Sequence, residues 1–409
     1  MAEDAIAEQN GGETALAALN RGTNQSGMRE HNERLVLSLL RSQGPQAKSD
    51  IARITGLSAQ TVSVIMRELE QDGFLLRGEP QRGRVGQPSV PMSLAPEGAF
   101  FLGLKLGRRS ADLVLLDFLG RIRRKLRRIY PWPTPRAIID FVSGALPELT
   151  SDLTSAQRTR VVGLGVAMPY QLWSWVEYIG APQTEMDAWR SLDLERELAA
   201  VTGLPVFVQN DASAACGAEL IFGTGEKPRD FLYFYFGYFI GGGLVLNGRL
   251  FTGRTGNAAG VGTMPVPGIG GRPVRLMSEA SLWPLARRIE ARGLSSELLW
   301  DRPLAWDLPE DLLDDWMNAA ASGLASAMLS AAALLELEHV MIDGWLPAEI
   351  RAEIVRRTDL ALSGMDLAGL ARPMIRAGTV GPDARALGAA AVPLAARFLT
   401  DPEAALLAR

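Results

Sequence analysis

The sequence predicts an α/β protein of two unequal parts: a small module of three short helices and two strands, then a larger domain where strands alternate with helices. Three observations carry this. The chain has 409 residues, more than one ordinary core fills, which favours two or three domains. Its 47% hydrophobic and 22% charged residues are those of a globular protein with ample core. The apolar pattern also changes near Ala99, from helical spacing to strand-like runs closing on Gly, Pro or Asn-Asp.

Residues 1–27 are acidic, polar and Gly-rich, without a basic start or an apolar stretch, and read as a mobile leader rather than a secretory signal. The segment from His31 to Gln43 spaces Leu35, Leu39 and Leu40 as an amphipathic helix that Gly44-Pro45 ends. Residues 48–56 predict a second short helix, with Ser49 or Asp50 near its start and Gly56 at its end. Residues 57–73 predict a third: Ser58 caps it, Val62, Ile65, Met66 and Leu69 form one apolar face, and Gly73 stops it. That face is expected to pack on Leu35, Leu39, Ile51 and Ile54. Residues 74–94 read as two strands around a loop rich in Gly, Pro and Arg.

Beyond Ala99, residues 101–130, 161–169, 205–211 and 230–248 read as strands, with helices over 191–202 and 212–221 between them. The last third is mainly helical, notably 308–338 and the Ala-rich 384–398. This order indicates an α/β domain of two lobes. The basic run 121–130 is read as a solvated strand face rather than a nucleic-acid contact, and the aromatic run 231–236 as a buried strand rather than a ligand box.

The lone Cys216 excludes an internal disulfide, and with only His31 and His339 beside it the chain lacks the usual makings of a zinc site. Both fit the reducing cytoplasm, and no apolar run approaches the roughly 20 residues a membrane helix needs. A net charge of −4 gives no overall attraction to nucleic acid, so DNA binding must come from a local patch.

The N-terminal module supplies one. A tight turn lets the second helix brace the third, whose start can lie in a major groove. Ser58, Gln60, Thr61 and Ser63 stand at that start, and Gln can pair with adenine while Ser or Thr reaches bases or phosphates. Lys48 and Arg67 are further candidate contacts. Arg82 and Arg84, set among glycines, form an extended basic segment suited to a narrow minor groove. The plain alternative is a helical bundle with a polar turn facing water.

From about residue 28 onward the sequence resembles the ROK (repressor, open reading frame, kinase) regulators, whose members include the xylose and N-acetylglucosamine repressors. The resemblance implies a winged helix-turn-helix over 28–95 and a two-lobed, actin-like ATPase (sugar-kinase-like) sensor and oligomerisation domain over 96–409. It also implies a homodimer or homotetramer on a palindromic operator.

Against the family's kinases the chemistry is altered. Lys105 stands where the phosphate-loop Asp would organise a metal, and Arg108 where a second Gly would admit phosphate. Arginine there could still attract an anion. The second glycine-rich segment is Gly237-Tyr238-Phe239-Ile240-Gly241-Gly242-Gly243, and Gly344-Trp345 replaces a Gly-Gly pair. On the sugar side Pro169 and Asn210-Asp211 match, and the latter either contact a polyol, cap the following helix, or do both. Gly260 replaces the family's sugar-gripping Glu and Thr263 its His. The zinc loop corresponds to 268–275 without cysteine, and Met277 stands at a further Glu position, with Glu279 two residues on. Asn210, Asp211, Thr263 and Glu279 are the expected ligand contacts; no cofactor, metal or catalytic residue is expected. The implied function is a sugar-responsive regulator, most often a repressor, of carbohydrate genes. The alternatives are a DNA-binding regulator without ligand and an active sugar kinase.

Overall fold

The computed structural model describes residues 24–80, 89–268, 271–301 and 305–400. They group into two compact units, Ala99–Leu394 and a smaller one joining the chain up to Gly98 with the residues from Ala395. The C-terminal residues from Ala395, expected in the larger domain, thus belong with the smaller.

In the smaller unit helix α1 (Asn24–Gln43) starts inside the expected leader, several residues before His31. Gly44, at φ 75°, ends it. Helix α2 (Lys48–Thr55) is entered from Ala47 with no side-chain cap, rather than from Ser49 or Asp50, and closes on Gly56 at φ 72°. Asp50 instead sits in the first turn, where its charge favours the helix dipole. Helix α3 (Ala59–Gln71) is capped by Ser58, whose hydroxyl accepts the Thr61 N–H at 3.1 Å. Its Val62, Ile65, Met66 and Leu69 are buried, as are Val36, Leu37, Leu39, Leu40 and Ile51. Ile54 departs from expectation at 36% exposure. An eight-residue helix offers the core little more than one turn, and Ile51 occupies it. Strands β1 (Leu75–Arg77) and β2 (Met92–Leu94) pair antiparallel, Leu75 opposite Leu94. Phe398 meets Phe74 edge-on at 5.3 Å.

The larger unit holds two five-stranded sheets of one topology. The first is β3 (Phe100–Leu106), β4 (Ser110–Leu116), β5 (Ile122–Ile129), β6 (Val161–Met168) and β7 (Val206–Asn210), ordered β5-β4-β3-β6-β7. The second is β8 (Phe231–Phe236), β9 (Gly241–Leu246), β10 (Arg249–Phe251), β13 (His339–Gly344) and β14 (Met374–Ala377), ordered β10-β9-β8-β13-β14. In each, three strands form an antiparallel meander and two more add in parallel to its first strand. A small ribbon, β11 (Pro265–Pro267) with β12 (Pro273–Arg275), lies between β10 and β13 in sequence. All six residues of the aromatic strand β8 are buried. The basic run is the edge strand β5, with most of its residues exposed.

Helices α4 (Pro135–Leu149) and α5 (Leu194–Thr202) pack on the first sheet. Helices α7 (Leu276–Ala280) and α8 (Glu310–Ala332) build the second core around fully buried Trp316, whose indole donates to the Ser281 carbonyl at 2.9 Å. Between β7 and β8 runs α6 (Asp211–Phe222), and α9 (Ala348–Ser363) links β13 to β14.

The last helix, α10 (Ala384–Phe398), approaches the first sheet backbone to backbone. Gly103 and Gly165 are partners on adjacent strands and leave a bare patch where the helix sits. A methyl group at Gly165 would stand 1.7 Å from the Ala389 carbonyl oxygen, and one at Gly103 2.4 Å from that of Ala386. On the other side a methyl at Gly388 would stand 1.8 Å from the Ala214 carbonyl of α6. Since the closest atoms are main chain, Gly165→Ala is expected to destabilise the larger unit by about 3 kcal/mol, measured as a fall in the urea midpoint at unchanged slope.

Candidate functional site

Two features have the makings of a site, one in each unit. In the smaller, α3 buries its apolar face and leaves Ser58, Gln60, Ser63 and Arg67 exposed, with Thr61 partly so. Ser58 is committed to the cap, its hydroxyl also 2.8 Å from that of Thr61. Lys48, at the start of α2, reaches across to the Ser63 hydroxyl at 3.5 Å. The polar residues named from sequence therefore share one outward face. Arg82 and Arg84 lie outside the described residues.

In the larger unit a cavity of about 210 Å³ is lined by the β3–β4 turn, the end of β6, the β7–α6 junction, the start of β9 and the 257–263 loop. Asn210 closes β7 and caps α6: its side-chain oxygen accepts the N–H groups of Ala212 at 3.0 Å and Ser213 at 3.1 Å. Its amide still has a donor for the cavity and reaches Asn257 at 3.4 Å. The helix-cap reading and the site reading of this residue are therefore compatible. Asp211 lines the cavity beside it and forms an ion pair with Arg385 of α10 at 3.2 Å, each side chain 14% exposed. Burial works against the Arg385 charge, but Tyr235 and Asp211 outweigh it and raise its pKa.

Thr263 lines the cavity, its hydroxyl donating to the Gly260 carbonyl at 2.8 Å. Glu279 is not among the lining residues; Met277 is. The Glu279 Cβ lies close to Gly323 of α8. Glu279 does not replace the carboxylate missing at Gly260.

Several lining residues went unnoticed as site candidates in the sequence. Arg385 stands in the first turn of a helix made mainly of Ala and other apolar residues, and a charge at the head of such a stretch was the available signal. Trp175 and Phe239 stack at 5.0 Å, and the Arg108 guanidinium lies over both rings, 4.9 Å and 4.4 Å from their centroids. Burial pushes the Arg108 pKa down to about 10, with Asp211 opposing. Gln171 and Ala259, also in the lining, hold left-handed backbone at φ 46° and 53°. Such conformations cost roughly 1–2 kcal/mol each in residues with a Cβ, and collect where a site needs a particular shape.

Lys105 is not among the residues lining this cavity and sits in a buried cluster. Its ammonium lies 3.2 Å from Asp112 and donates to the Ser110 hydroxyl at 2.9 Å. Burial lowers its pKa to about 8 despite Asp112. Burial would raise the Asp112 pKa in turn, but Lys105, Lys125 and Arg127 together hold it low.

Comparison with known proteins bears on both features. Residues 29–75 match the model of winged helix-turn-helix DNA-binding domains, and residues 101–277 that of the ROK family. The xylose repressor of Bacillus subtilis is 22% identical over 246 residues, covering 59% of this chain and 62% of the repressor. The crystal structure of a ROK family transcriptional regulator, described as a homologue of the E. coli MLC protein, superposes with a TM-score of 0.67 at 19% identity. It covers 93% of this chain and 98% of its own. A ROK family glucokinase from Streptomyces griseus, in complex with glucose and AMPPNP, gives 0.57 at 21% identity, over 72% of this chain and 99% of its own.

Because Asn210 holds two otherwise unpaired amides of α6, Asn210→Ala is expected to lower stability by about 1 kcal/mol. Asn210→Asp, an equally good cap, should restore most of it in thermal denaturation.

Proposed function

We propose that this chain, which joins a winged helix-turn-helix DNA-binding domain to a ROK-family domain, is a ligand-responsive transcriptional regulator, in the manner of a repressor of carbohydrate genes. The observation that carries the proposal is the pairing of two features in one chain: an outward polar face on α3 and a cavity with convergent polar groups at Asn210 and Asp211. The relatives named as repressors support it, as does the described regulator that superposes over nearly the whole chain.

On this reading Gln60 and Ser63 read base edges, Lys48 and Arg67 hold phosphates, and Arg82 and Arg84 enter a narrow minor groove. The chain acts as a homodimer or homotetramer on a palindromic operator, in the cytoplasm. A sugar or sugar derivative binds beside Asn210, Asp211 and Thr263. To act as an effector it must favour one arrangement of the paired DNA modules over another.

The cavity argues against phosphoryl transfer. A transferring kinase needs a carboxylate to order its metal and open loops to admit phosphate. Here Lys105 occupies the first position and is paired with Asp112. The turn after β3 and the turn after β8, which correspond to the two phosphate loops, are closed on each other by the stacking of Arg108 on Phe239. An ATP-dependent sugar-phosphorylation assay that gave product would overturn this part of the reading.

Selected operator DNA and fluorescence anisotropy test the whole. Gln60→Ala is expected to weaken specific binding by roughly 10–100-fold, about 1–3 kcal/mol for a paired base contact, with little effect on random DNA. Asp211→Asn is expected to leave operator affinity unchanged and to remove release by the effector. Normal release from the Asp211→Asn protein would refute the site assignment.

A further inference from the structure

We infer that the cavity takes an anionic ligand, a monosaccharide bearing a phosphate or carboxylate group, and that Arg108 is the residue that holds the anion. The inference rests on reading the larger unit as a sensor and narrows the class of its ligand.

The first argument is charge. The ionised side chains lining the cavity are Arg108, Arg385 and Asp211. Asp211 is committed to Arg385 at 3.2 Å, so one positive charge remains without a matching carboxylate, on Arg108. No hydrogen bond or ion pair joins Arg108 to any described residue. Its Nε is shielded from water with no partner, as is the Nε of Arg385.

The second is the chemistry of that side chain. Guanidinium carries five donors in a plane and cannot shed its charge near neutral pH. The faces of Trp175 and Phe239 attract the cation, but a ring face satisfies none of the N–H edges. One of those donors, the Nε–H, is buried without a partner, and a buried unpaired donor on a charged group is unfavourable. Burial lowers its pKa to about 10, which still leaves the guanidinium charged near neutral pH. A neutral polyol would fill the donors and leave the charge uncompensated. Two oxygens of a phosphate or carboxylate meet both needs, because they match the guanidinium fork.

The third is the rest of the lining. Gln171, Ser174, Asn210, Asn257 and Thr263 supply neutral donors and acceptors around the same space. These suit the hydroxyls of a sugar ring and explain little about a bare inorganic anion. The volume, about 210 Å³, lies below the roughly 300–1,000 Å³ of pockets for drug-sized ligands, and so fits one small metabolite.

Thermal shift and calorimetry on the full chain test this with matched probes: glucose, glucose 6-phosphate, glucuronate, N-acetylglucosamine, its 6-phosphate, and inorganic phosphate alone. The expected result is that at least one sugar anion binds at least tenfold more tightly than its neutral parent and more tightly than inorganic phosphate. Its affinity should fall with added salt. The phosphate and carboxylate arms identify which anion is preferred. Arg108→Met, which keeps the stack on Trp175 and Phe239, should lose this preference at least tenfold without lowering the melting temperature of the unliganded protein. Arg108→Lys, which keeps the charge, should retain part of it.

A neutral sugar binding as tightly as its anion, or Arg108→Met binding the anion as well as the parent, overturns the inference. So does silence of every anion in the panel. Tight binding of a neutral sugar alone would leave the sensor reading standing. Failure to bind any specific DNA would sink the regulator reading without touching the anion preference.

Discussion

The charged pair at the heart of the cavity is positioned by one contact, the approach of a helix main chain to a sheet main chain with no side chain between them. Gly103 and Gly165, partners on β3 and β6, give α10 a bare surface, and Gly388 gives the helix an equally bare side against α6. The helix is wedged between a sheet and another helix with almost no freedom to roll or slide, since interiors at crystal-like density transmit such constraints. Its first turn then has one place to put Arg385, which is opposite Asp211 at the start of α6. Packing by glycine thus fixes an electrostatic pair that packing alone does not require.

The same economy runs through the cavity. Asn210 ends a strand, caps a helix and still has an amide donor to offer. The two sheets share one strand order, so the turns after β3 and β8 are counterparts. In this chain one turn supplies a guanidinium and the other an aromatic ring, and the two meet at 4.4 Å. Lys105, at the end of β3, is satisfied internally by Asp112 and Ser110.

Much of this was legible in the sequence, and the limits have physical causes. Helix-period apolar spacing and the glycines at 44, 56 and 73 located the three N-terminal helices, because αL termini leave a local signature. The start of α1 and the cap of α2 were misplaced: a polar first turn has no periodicity, and Ala47 caps nothing with its side chain. The aromatic strand and the basic strand were both read for what they are. Asn210-Asp211 stood out as a pair, but the ion pair to Arg385 spans 174 positions and no local pattern announces it. Glu279 was named by nearness in sequence to a missing carboxylate. Two helical steps, about 200°, put Met277 in the lining and Glu279 outside it. Trp175 and Phe239 were invisible as a stack because their contact depends on which turns the duplicated topology brings together.

The edge strand β5 carries a consequence of its own. Five of its eight residues, Arg123, Arg124, Lys125, Arg127 and Arg128, are cationic, and three of them find carboxylates at Asp152, Asp383 and Asp112. A strand at the border of a sheet exposes main-chain groups that can template pairing with another copy, and lysine- or arginine-rich borders resist it by mutual repulsion. In a chain of low net charge, −4, general repulsion between molecules is weak, so that defence has to be local. The most basic stretch of the protein thus lies along the border of a sheet, where like charges disfavour pairing with a second copy of the same strand.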